Sequence, residues 1–168
     1  ESSQNLAALS EYTLSDFLEI HSAWNKHLDS LKTDLEAIGK QALIDMEENG
    51  LGVNDFTRKS SGIGNYFLKM SNGDIGMPNK YVTQAFEEAI FFSKTSQYSN
   101  DSFVELIEKW QGLYESIKEK IEDYLVTQAL LTTFFEVALF KSLRQLAVEL
   151  REETGRVHIS EFNREIKA

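Results

Sequence analysis

Tyr124–Phe140, YLVTQALLTTFFEVALF, is the most apolar stretch of the chain, interrupted only by Thr127, Gln128, Thr132, Thr133 and Glu136. A helix that is apolar almost all round is normally one that other helices surround. The stretch is therefore expected to be the central staff of an all-α domain, with the remaining helices packed about it. It falls short of the roughly 20 apolar residues that a membrane crossing takes. It also carries Glu136 and runs directly into Lys141 and Arg144. A buried core helix, and no membrane span, is the expectation.

The segments upstream supply the packing partners. From Leu14 the apolar positions fall at Phe17, His21, Trp24, Leu28, Leu31, Leu35, Ile38 and Ala42, in alternating steps of three and four, with His21 the one position that is not plainly apolar. Such spacing marks a coiled-coil-type seam along one long helix. Thr13-Leu14-Ser15-Asp16 has capping-box spacing at its start, and Asn49-Gly50 is a natural stop. A second helix is expected over residues 80–94, where Tyr81, Val82, Ala85, Phe86, Ala89, Ile90 and Phe92 form one apolar face. A third opens at the capping box Ser102–Glu105 and carries Phe103, Leu106, Trp110, Leu113, Ile117, Ile121 and Tyr124 in three-four steps.

Read without interruption, residues 103–153 would make a helix of roughly 76 Å. A compact domain of this length has a diameter near roughly 40 Å. Either the helix breaks, near Gly112 or in the charged run Lys118–Asp123, or the molecule is an extended rod. A break is the expectation, because a rod needs a partner chain to cover so apolar a helix. Residues 50–80 hold most of the nine glycines and the single proline, Pro78. They predict an irregular connection, with Tyr66–Met70 and the Asn72-Gly73 turn as half of a possible hairpin. The first dozen residues read as a polar lead-in, Thr154-Gly155 as a cap, and the tail to EFNREIKA as one further helical turn or two. The whole is an antiparallel bundle of about four main helices, as one domain over 1–168.

Composition limits the chemistry. A net charge of −10 argues against nucleic acid, whose phosphates demand clustered cations, and equally against a polybasic grip on lipid. A soluble chain with a neutral or basic protein partner is expected, its compartment left open. With no cysteine, thiolate metal sites and cysteine nucleophiles are excluded. Neither His21 nor His27 has a carboxylate or histidine three or four residues away, so no helical metal motif forms. No metal or other cofactor is expected.

Two sets of residues are candidates for binding. Arg58 and Lys59 precede Ser60-Ser61-Gly62-Ile63-Gly64, a loop whose backbone N–H groups would suit an anion. The motif is incomplete, and a surface loop is its plain alternative. Gln128, Thr132 and Glu136 stand four apart and form a narrow polar stripe on the apolar staff. A buried Glu136 would have a raised pKa suited to acid–base work, whereas an exposed stripe would be ordinary amphipathicity.

Three functions compete. The first is a non-enzymatic interaction or assembly module, pairing its seams with a partner protein or with further copies of itself. The second is a small-ligand sensor with a pocket between the central helix and the 80–94 helix. The third and weakest is an enzyme using Glu136 or the Arg58 loop. No catalytic residue is assigned.

Overall fold

The computed structural model describes residues 13–93 and 96–154. Four α-helices make up the described residues, with no strand: α1 (Leu14–Glu48), α2 (Ile63–Ser71), α3 (Lys80–Glu88) and α4 (Val104–Thr154). Short 3-10 turns at Lys59–Ser61 and Asn100–Phe103 precede α2 and α4. The lead-in, the cap at Gly155 and the tail with His158 lie outside the described residues. Two compact units emerge, one from the described parts of Glu1–Ala23 and Leu130–Ala168, the other Trp24–Ala129. Each is taken by itself below.

Local chemistry sets both ends of α1. Thr13 and Asp16 form the reciprocal box, the Asp16 N–H donating to Thr13 Oγ1 at 3.2 Å and the Thr13 N–H to Asp16 Oδ2 at 2.6 Å. These Thr13 hydrogen bonds, side chain first and backbone second, hold the Asp16 carboxyl below its ordinary value. At the far end, Gly50 sits at φ 67°, with its N–H bonded to the Glu47 carbonyl and the Leu51 N–H to that of Met46. That pair of bonds is the Schellman motif, and Leu51 and Met46 are both buried as the motif favours.

In the larger unit α1 and α4 run antiparallel. Asp34 pairs with Lys120 and Asp45 with Lys109, so numbers rise along one helix as they fall along the other. Leu31, Leu35, Ala42 and Met46 face Trp110, Tyr114, Ile117, Ile121 and Tyr124 in one hydrophobic core. Its centre is Trp110, whose ring lies 4.8 Å from Phe67, 5.6 Å from Phe56 and 5.7 Å from Phe91. The buried indole N–H needs an acceptor, and Asp45 supplies it at 3.1 Å. The same carboxylate accepts from Lys109 at 2.7 Å and from Gln41 at 2.9 Å.

Several expectations are corrected here. Tyr66–Met70 belongs to helix α2 rather than to a hairpin. Backbone packing accounts for it: a Cβ on Gly39 of α1 would fall 2.5 Å from the Ser71 nitrogen, and one on Gly64 would fall 2.4 Å from the Val53 carbonyl oxygen. The α2 segment is thus seated against α1 by contacts that only glycine permits. Helix α3 ends at Glu88 instead of 94, because Ala89 takes a left-handed conformation and Asn100 captures the Phe91 and Phe92 N–H groups. Asn79 caps its start by accepting from the Tyr81 and Val82 N–H groups. The break expected near Gly112 or Lys118–Asp123 is absent, and α4 is continuous through both. A mid-helix glycine costs only about 1 kcal/mol, which burial of Trp110 and Tyr114 on either side outweighs.

Candidate functional site: an apolar helix face

The greatest departure from expectation is the Tyr124–Phe140 stretch itself. Tyr124, Thr127 and Leu131 are buried, but Val126, Leu130, Phe135, Leu139 and Phe140 are exposed. It is no surrounded staff; the surrounded part of α4 is Trp110–Tyr124. Apolarity in a sequence predicts that a side chain seeks cover, without saying which molecule provides it. The same stretch lies in a helix long and apolar enough, by length and composition, to cross a membrane, and only 11% of its most apolar window is buried.

In the smaller unit, the start of α1 lies along one side of α4. The Phe17 ring is 4.9 Å from Phe134, His21 is 6.4 Å from Phe135, and the Lys141 ammonium lies 5.4 Å from the Phe17 ring. These contacts leave an apolar groove of about 210 Å³ lined by Phe17, Leu18, His21, Phe134, Phe135, Ala138, Leu139 and Ser142. Leu18 and Leu139 stand exposed at its rim. Beyond the groove, Leu139, Leu143, Leu146 and Leu150 follow in steps of four, three and four, each 50–52% exposed. That is the spacing of a coiled-coil seam, here left half exposed along its length. Contiguous apolar surface on this scale is uncommon on a protein that stays alone in water.

Gln128, Thr132 and Glu136 are all exposed. Arg58 and Lys59 are also exposed, both at positive φ. The Arg58 guanidinium sits 4.7 Å over the Tyr81 ring, beside a hollow of about 150 Å³ that also includes Thr57, Gln84 and Glu88. The loop N–H groups of Lys59, Ser61 and Gly62 donate to the carbonyls of Phe56, Arg58 and Lys59, so these three are turned inward rather than toward an anion.

His27 meets Asp123 at 2.8 Å, with both side chains about half exposed. No group of three metal-ligating side chains occurs among the described residues. Between α3 and the first half of α4, Phe86 stacks on Tyr114 at 4.5 Å and Gln111 donates to the Phe86 carbonyl. A separate pocket of about 230 Å³ opens beside α2, with Tyr66, Asn65, Lys69 and Asp74 in its wall.

The leucine seam was hidden by composition. Residues 141–152 mix Lys141, Arg144, Glu149, Arg151 and Glu152 with the leucines, so the segment reads as an ordinary amphipathic helix whose apolar side is covered. Its period was legible, and its exposure was not. No known family matches the chain, and no curated protein or solved structure is similar to it.

Proposed function

We propose that the chain is a helix-packing interaction module, non-enzymatic, that docks a partner protein through the C-terminal half of α4. One observation carries this reading: four leucines at heptad spacing, each about half exposed, continue the apolar groove beside Phe17. A coiled-coil seam is completed when a second helix inserts its knobs into the holes of the first. The net charge of −10 favours a partner whose docking surface is itself neutral or basic, whatever its overall charge. The rival small-ligand reading gains no support where α3 meets α4, since Phe86 stacks directly on Tyr114 there.

A membrane surface is the second reading, favoured by the apolar window of α4. The net charge of −10 counts against it, because anionic headgroups repel an acidic chain, and Lys141, Arg144, Glu149 and Arg151 count against a crossing. One experiment separates the two. A photo-crosslinking residue replaces Leu146, and irradiation is carried out in the native host. Protein adducts at 146, and none at the exposed control position Glu122, support the module. Adducts to lipid alone, or no adduct to any protein, would sink it.

A further inference from the structure

We infer that the occupant of the Leu139–Leu150 seam is a second copy of this chain, its α4 parallel to the first and in register. This rests on the interaction-module reading and names its partner. Leu139 and Leu146 take the d positions of the heptad and Leu143 and Leu150 the a positions. The flanking e and g positions decide who can dock. Here they are Phe135, Phe140, Ser142, Ala147 and Glu149, so only one carries charge. Charged partners are usually selected by complementary e and g residues, and this seam offers almost none.

Self-pairing, by contrast, is well matched. In a parallel pair each g residue meets the e residue five positions later on the other chain. Phe135 then meets Phe140 of the second copy, twice by symmetry, and Ser142 meets Ala147. Both phenylalanines are exposed, at 60% and 73%. An antiparallel pair would separate them and set Glu149 against Ser142. Lys141, Arg144 and Arg151 lie at the outer b and f positions, where two identical helices keep like charges apart.

The area is also in range. Phe135, Leu139, Phe140, Leu143, Leu146 and Leu150 expose on the order of 600 Å² per chain, against about 800 Å² per partner in an interface of standard size. A reversible dimer follows rather than a permanent one. Glu136 limits it. It occupies the a position one step before Leu139, so a parallel pair sets two carboxylates against each other and stops the seam there.

The full chain lacks cysteine, which makes the test direct. In sedimentation equilibrium from about 1 μM to about 1 mM, the mass is expected to rise from 19.2 kDa toward twice that value. Glu136→Leu removes the repulsion and adds apolar cover, and is expected to tighten association roughly tenfold. Leu139→Cys and Leu146→Cys should each form a disulfide-linked dimer under mild oxidation, while Arg144→Cys at an outer position should not. A chain that stays monomeric, with Glu136→Leu monomeric as well, overturns the inference. So does association in which Leu139→Cys and Leu146→Cys fail to link, or a limiting mass of three or more chains. Monomers that still give protein adducts at position 146 overturn the second copy and leave the module standing. Monomers without such adducts remove both.

Discussion

At the scale of single residues, Asp45 is the buried carboxylate of α1 that accepts hydrogen bonds from Trp110 and Lys109 of α4. Burial alone would push its carboxyl up, but hydrogen bonds from Lys109, Gln41 and Trp110, together with the Lys109 charge, hold it below the ordinary 3.8. Lys109 is half in water, so its ion pair contributes modestly. The larger loss on deleting Asp45 is the orphaned indole N–H of buried Trp110. Asp45→Ala is expected to cost about 2–4 kcal/mol in urea denaturation at neutral pH. A carboxyl whose folded pKa is depressed stabilises above its unfolded pKa and loses that contribution as the pH falls through the folded value. The mutant's deficit should therefore shrink below about pH 4 and persist from pH 5 upward, which denaturation at pH 3 and pH 7 would show. Tyr66 is the opposite case: its hydroxyl is buried with no hydrogen-bond partner, and burial pushes its pKa well up. Tyr66→Phe removes a polar group that gains nothing, so stability should be unchanged or higher by up to about 1 kcal/mol. Thermal unfolding of the two proteins side by side would test it.

At the scale of elements, what the sequence made legible was whatever is encoded locally. In the Thr13–Asp16 box, in the Asn49-Gly50 stop and in each step of the α1 seam, the residues that interact lie within a few positions of one another, and the period announces the helix. Helix α2 was not legible, since nine residues with glycines at 62 and 64 carry too little pattern. Its conformation is fixed by Gly39, far away in the chain, and by Val53. The Asp45–Trp110 bond was hidden for the same reason. Two glycines test this division. Gly39 meets backbone atoms of Ser71 and Phe67 that have nowhere to go, so Gly39→Ala should destabilise by about 1–3 kcal/mol despite alanine's better helix propensity. Gly112 has nothing within 4 Å of an added Cβ. Gly112→Ala should stabilise by about 0.5–1 kcal/mol. Equal effects at the two sites in a denaturation titration would contradict the close approach of α1 and α2.

At the scale of the whole molecule, a strongly acidic chain carries a long apolar helix face, and the two properties oppose each other whenever copies meet. Net charge of −10 on each chain repels at long range, while burial of the leucine seam attracts only at contact. Added salt shortens the Debye length from about 30 Å at 0.01 M to about 3 Å at 1 M, which removes the repulsion and leaves the apolar attraction intact. Self-association through α4 should accordingly strengthen as sodium chloride is raised, and ammonium sulfate should strengthen it further because sulfate favours apolar burial. An interface held by ion pairs would weaken over the same range. The seam variant Leu143→Lys with Leu146→Lys separates the two contributions: it removes the attraction, and its mass should stay at the monomer value at every salt concentration. Its core should stay intact, because both positions are about half exposed and lie outside the Trp110 cluster. Sedimentation equilibrium at low and high salt, with circular dichroism to follow helix content, measures all of this. A wild-type dimer that dissociates as salt rises would mean that charge, and not the leucine face of α4, holds the copies together.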